Sequence, residues 1–177
     1  MRRWDSFGRS AAFAAVAALA WVPWLMVMGP IAGWSTARTL YLIAVTSVYV
    51  AGLGGPIARR LPAAIATGIA GCAAAVVGRD ATILCLGLGV ALAVARSVFL
   101  YRAAPGRAVV TEAVLVGGGL VFARLLASRS PLGAALPIWG FFLVQSCFFL
   151  VVGARERRMG DGHDEPGGDW SAGYRLE

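Results

Sequence analysis

The chain has 177 residues, 59% of them hydrophobic and only 14% charged, with a mean hydropathy of +0.73. Soluble domains carry about 45–50% apolar and about 25% charged residues; here the excess lies in long uninterrupted runs, which argues against an ordinary soluble domain and predicts an all-α, polytopic integral membrane protein, a bundle of about six transmembrane helices. The net charge is +7 from 16 basic residues, all arginine; they flank the apolar runs as topology determinants do, and with no separate basic face carrying aromatics for base stacking, no nucleic-acid partner is expected.

Residues 1–9, MRRWDSFGR, form a basic start. The first span, 10–29, has about 20 residues, enough to cross a hydrocarbon core of about 30 Å at about 1.5 Å per residue. Pro23, between Trp21 and Trp24, predicts a kink toward its far end. The basic start and AAFAAVAALA also fit a signal peptide ending at Ala18-Leu19-Ala20. Because the apolar run continues through Trp21 to Gly29, an uncleaved first helix is expected. The Ala-xxx-Ala spacing here (Ala11/Ala15, Ala14/Ala18) is what so alanine-rich a span gives by chance, and identifies no family.

The second span, 37–57, carries Thr46, Ser47 and Tyr49, ends in AGLGGP, and is closed by Arg59-Arg60. The third, 61–78, is mostly Ala and Gly and contains Thr67. Small residues let helix backbones approach closely in lipid, which predicts a central position for this helix. Arg79-Asp80 is a tight turn, with Asp80 placed to cap the fourth span, 81–100. That span holds Arg96, and its Gly87-x-Gly89 reads as a packing feature. The fifth span, 108–126, carries Glu112, Gly117-Gly118-Gly119 and Arg124. The linker ASRSPLG leads to the sixth, 134–152, with Pro137, Trp139 and Gln145-Ser146. The spans together make one six-helix transmembrane domain, 1–153, and the charged, Gly-rich stretch 154–177 reads as a disordered cytoplasmic tail. Transmembrane strands would alternate polarity over about 9–11 residues, and no such alternation occurs.

With the N-terminus inside, eleven arginines fall on the inner side and four, Arg38, Arg79, Arg124 and Arg129, on the outer. Distant Arg175 completes the set. This bias predicts a multi-pass protein of the cytoplasmic (inner) membrane with both termini in the cytoplasm. Trp21, Trp24, Trp34 and Trp139 then lie toward the outer face, where an interfacial aromatic belt would sit. The two three-helix halves are inverted relative to each other, an arrangement many transporters use, but they share no convincing sequence match.

Glu112 is the only acidic residue inside any apolar span. Arg96 and Glu112 each stand eight residues from Ala104, the centre of the loop joining their spans. On antiparallel neighbours they occupy similar depth. A carboxylate in lipid is costly and usually faces the bundle and pairs. The structural expectation is an ion pair fixing one helix contact, with Arg96 partly snorkelling. The functional one is a cation, proton or polar group held at Glu112. A second group at mid-depth comprises Thr46, Ser47, Thr67, Gln145 and Ser146, with the Gly117–Gly119 run at similar height. Interhelical hydrogen bonding accounts for these residues, and a small polar pocket is the alternative. Arg124, near the outer end of its helix, is placed to snorkel outward.

Cys72, Cys85 and Cys147 lie inside apolar spans without a CxxC pair and read as small hydrophobes. The one histidine, His163, is in the tail. No histidine metal or haem site, Ser/His pair or pair of carboxylates can form within the spans, and no phosphate-cradling motif is present. No cofactor and no catalysis are expected. The leading expectation is a non-enzymatic accessory or assembly subunit of a membrane complex, its partners the lipid bilayer and other membrane-protein helices. The alternative is a small-solute carrier or channel component with a polar site around Glu112 and Arg96. A packing subunit would bury that pair between helices and expose a Gly/Ala face; a carrier would give water a path to Glu112.

Overall fold

The computed structural model describes residues 7–53, 57–77, 81–100, 105–126 and 135–160. Every described element is helical: α1 (Phe7–Ala32), α2 (Trp34–Gly52), α3 (Ile57–Val77), α4 (Ala81–Val94) with a π-helical continuation (Ala95–Leu100), α5 (Pro105–Leu126) and α6 (Ala135–Gly160). Each overlays one predicted span. α1 and α3 are long and apolar enough to cross a membrane by length and composition, and shorter apolar stretches cover Thr82–Ser97 and Ala135–Phe149.

The differences lie at the ends. α1 continues through Pro23 and Pro30 to Ala32. Gly33, at φ 83°, then turns the chain in one residue, a conformation that a β-carbon strains. The turn is closed by Gly33 N–H donating to Gly29 O and Ala37 N–H to Gly33 O, each 2.9 Å. α2 stops at Gly52, where Leu53 turns extended, short of the predicted 57. α6 runs to Gly160, so 154–160, expected as tail, continues a helix. The end of an apolar run marks a change of side-chain polarity and does not end the backbone hydrogen-bond ladder. The Asp80 cap, the loop 101–104, the linker 127–134 and the tail 161–177 lie outside the described residues.

The helices form an up-and-down ring. α1 packs between α2 and α6, α5 packs on α6, α3 packs between α2 and α4, and α4 meets α5 to close it. Cross-contacts run antiparallel at each step. Ser10 meets Tyr49, and the Trp24 indole donates to Ala37 O, between α1 and α2. A β-carbon on Gly71 would touch both Ile43 of α2 and Leu88 of α4, and one on Gly87 would lie 2.7 Å from Ala74. Phe13, Tyr49 and Phe142 bring three rings from α1, α2 and α6 together at centroid distances of 5.3, 5.5 and 5.2 Å.

Two expectations of placement are corrected. α3 is not central. Its small residues Ala63, Ala64, Thr67 and Gly71 do face neighbours, but only on one side, and Ile57, Leu61, Ile65, Ile69, Val76 and Val77 are exposed. Trp21 is not an interfacial belt residue either. It is buried, edge-on to Tyr41, whose hydroxyl donates to Ala17 O. Trp34 does stand exposed, with its ring against Gly29.

Candidate functional site: a buried polar layer

Toward the end of the bundle where α1 begins and α2 ends, the interior is polar. The helix at 95–100 winds with i→i+5 hydrogen bonds, a wider turn than α and one frequent at functional sites. Arg96 and Ser97 stand on it. The Arg96 side chain is 0% exposed and that of Glu112 on α5 is 7% exposed; Nη2 donates to Glu112 Oε2 at 2.5 Å. The same nitrogen donates to Gln145 Oε1 on α6 at 2.6 Å, and Nη1 approaches Gln145 O at 3.5 Å. The guanidinium carbon sits 4.9 Å from the centroid of the Phe148 ring, a cation–π placement. Arg96 is therefore not snorkelling: three helices converge on it.

Gln145 is held at its other end as well, its Nε2 donating to Leu115 O at 2.9 Å. Gly119 makes room for this amide. A β-carbon there would lie 3.0 Å from Gln145 Nε2 and 3.0 Å from Phe141. Of the three consecutive glycines only Gly119 is closely packed. Gly117 faces open space, and Gly118 has only Val144 at 3.9 Å.

The neighbouring residue, Ser146, carries the layer to the other side of α6. Its hydroxyl lies 2.9 Å from Ser10 Oγ and 2.9 Å from Phe142 O, and Ser10 Oγ lies 2.8 Å from the Tyr49 hydroxyl. The Ser146 hydroxyl donates toward both Ser10 Oγ and Phe142 O, and between Ser10 and Tyr49 either hydroxyl can be the donor. The layer ties together α1, α2, the π-helical turn, α5 and α6.

Of the residues singled out from sequence, Arg96, Glu112 and Gln145 meet. Thr46, Ser47 and Thr67 do not join them. Thr46 donates back to Leu42 O and Thr67 to Ala63 O, each at 2.8 Å, so both hydroxyls close on their own helix. The Ser47 hydroxyl lies beside Gly68 and has no partner. Arg124 is exposed on the last turn of α5. Sequence reasoning missed Ser10 and Phe148, and gave Tyr49 no role. Ser10 stands at a span boundary and Tyr49 and Phe148 inside apolar runs, where nothing in the period marks them. The available signal was the adjacent pair Gln145-Ser146, since consecutive helical residues point about 100° apart and serve different neighbours.

Among the described residues no three His, Cys, Asp or Glu side chains come together as a metal site. Chemically, the layer can hold helices in register and can offer a charge-balanced, hydrogen-bonding environment inside an apolar shell. Neither a protein-family model, nor a curated protein, nor a solved structure matches this chain.

Proposed function

We propose that this chain is a multi-pass protein of the cytoplasmic membrane, with six spans and both termini in the cytoplasm, acting without catalysis as an accessory or assembly subunit of a membrane complex. The observation that carries the reading is a set of buried polar groups together with a surface rich in exposed aliphatic side chains. Arg96, Glu112, Gln145, Ser10, Ser146 and Thr67 are inside, while branched aliphatics such as Leu19, Ile31, Val76 and Val121 are more than 60% exposed. Water penalises such a surface and lipid does not. The most apolar windows of α1 and α3 are each only 28% buried, whereas a soluble core helix would be mostly buried. Polar groups in the layer serve one another, as a packing subunit requires. Small exposed residues, Ala113, Gly117 and Gly118 on α5, stand on the surface, where another helix can approach closely.

The test is purification at native expression level in a mild detergent after membrane fractionation. The chain is expected in the membrane fraction with a stoichiometric membrane-protein partner. Recovery as a partner-free membrane protein overturns the subunit reading, and recovery in the soluble fraction overturns both parts. A second reading, a small-solute carrier or channel component, is favoured by Arg96 Nε and Glu112 Oε1, buried polar atoms with no hydrogen-bond partner.

A further inference from the structure

We propose that the start of α3 is a docking surface for an anionic phospholipid, with the headgroup phosphate at Arg59 and Arg60 and the acyl chains along the exposed aliphatic face that follows them. The argument begins with a charge that the protein does not balance. Arg60 is only 9% exposed. Its Nη1 donates to Ala51 O on the last turn of α2 at 3.3 Å, and its Nε is buried with no partner. Among the described residues Nη2 has no partner and is not enclosed, so the guanidinium keeps one open edge. A carbonyl dipole does not balance a whole charge, and a buried cation without a counter-charge is costly. The acids on the described helices do not supply one. Glu112 is engaged by Arg96. Glu156 is on α6, which packs on α1 and α5, and it stands among Arg155, Arg157 and Arg158. Arg59, one residue back, is exposed, so one helical turn carries two guanidinium groups and no carboxylate.

The backbone of that turn has the same complement. α3 starts at Ile57 with no acid in its first turn, and a helix start leaves its first N–H groups without intrahelical acceptors. Ile57, Ala58 and Arg59 are all exposed, so the turn is open to its surroundings. Guanidinium groups and N-terminal N–H groups both favour a phosphate. The residues that follow say which kind. Leu61, Ile65 and Ile69 come at four-residue spacing, each more than half exposed, and form an aliphatic strip about 12 Å long by helical rise. A cationic turn at the head of an aliphatic strip complements an anionic head on hydrocarbon tails, whereas a free phosphate would use the turn alone. The turn lies at the end of the bundle where α1 begins, the cytoplasmic end in the reading above, and the cytoplasmic leaflet is the one that carries anionic lipid. The inference rests on that membrane reading and adds a ligand to it.

The experiment is thermal unfolding of the purified full chain in a neutral detergent, titrated with phosphatidylglycerol, with phosphatidylcholine of the same acyl chains, or with inorganic phosphate at matched ionic strength. A ligand that binds the folded chain raises the melting temperature with its concentration. Phosphatidylglycerol is expected to do so, and phosphatidylcholine and inorganic phosphate are not. Arg59→Gln, at an exposed position, is expected to weaken phosphatidylglycerol by about fivefold. Arg124→Gln removes the same charge at the opposite end of the bundle and is expected to leave the titration unchanged. Equal stabilisation by the two lipids overturns the proposal on the native chain, without any variant. A phosphate effect equal to that of phosphatidylglycerol overturns the choice of a lipid. An Arg59→Gln chain that responds in full, or an Arg124→Gln chain that loses as much, shows diffuse charge and no site, and overturns it as well. Recovery of the chain in the soluble fraction is a separate result and removes the membrane reading itself.

Discussion

At the residue scale the decisive group is Arg96, a fully buried cation. Its partners Glu112 and Gln145 and the Phe148 ring replace the water it would otherwise hold. Removing one member of a buried pair strands the other, which costs about 3–5 kcal/mol. Glu112→Gln is therefore expected to lower the melting temperature in detergent sharply. Adding Arg96→Gln should recover part of the loss, with a coupling of about 0.5–3 kcal/mol. Additive losses across the two positions would mean that the contact carries no energy of its own. Tyr49→Phe removes one neutral hydroxyl–hydroxyl hydrogen bond and no charge, so its cost is about 1 kcal/mol. The order of the two melting temperatures is the check: Tyr49→Phe must lie well above Glu112→Gln. The pair was legible in the sequence because a lone acid in an apolar run must find a partner, and Arg96 stands at equal distance from the loop. Its third ligand was named only as a mid-depth amide. Which way Gln145 points depends on the room that Gly119 leaves, a property of two packed helices and not of either sequence.

At the element scale the glycines of α5 and α6 divide into those that set a helix distance and those that do not. A β-carbon on Gly140 would stand 2.6 Å from Leu126 and 2.9 Å from Phe122, inside van der Waals contact. Gly140→Ala is expected to force α5 and α6 apart and destabilise by about 1–3 kcal/mol. Gly117→Ala meets nothing within 4 Å, so helix propensity alone acts and the variant should be neutral or more stable by up to about 1 kcal/mol. Thermal unfolding of the two variants side by side checks the contrast, and equal losses would mean that close approach does not set the α5–α6 distance. Gly33→Ala tests the other use of glycine. At φ 83° it strains the α1–α2 turn by about 1–3 kcal/mol, with no side-chain clash involved. The six helices were legible because apolar run length is a direct reading of the element. Their ends were less so. Gly33 ends α1 by a backbone conformation, and α6 continues past its apolar stretch because polar residues propagate a helix as well as apolar ones do. The place of α3 was misjudged for a related reason. Small residues show that a helix can pack closely but not on how many sides, and α3 packs on one.

At the scale of the whole molecule, a polar layer is buried beside an aromatic and aliphatic core while many other aliphatic side chains stand exposed, and the solvent decides whether that is stable. In water the exposed leucines, isoleucines and valines of α1, α3 and α5 would drive association. In lipid they are at no disadvantage, and the buried layer becomes the part that specifies how the ring closes. Cys72 reports on this directly. It is exposed on α3, on the same face as Ile65, Ile69 and Val76, and five residues before Val77, about 7–8 Å from that end by helical rise. A thiol reacts through its thiolate and needs water to form it. In native membranes, a chain with Cys85 and Cys147 changed to alanine should resist a charged, water-soluble maleimide at Cys72, and should label fully once unfolded in denaturing detergent. Rapid labelling in intact membranes would place that face in water. Such a result would remove the lipid account of this α3 face and equally exclude a partner helix covering it in the membrane.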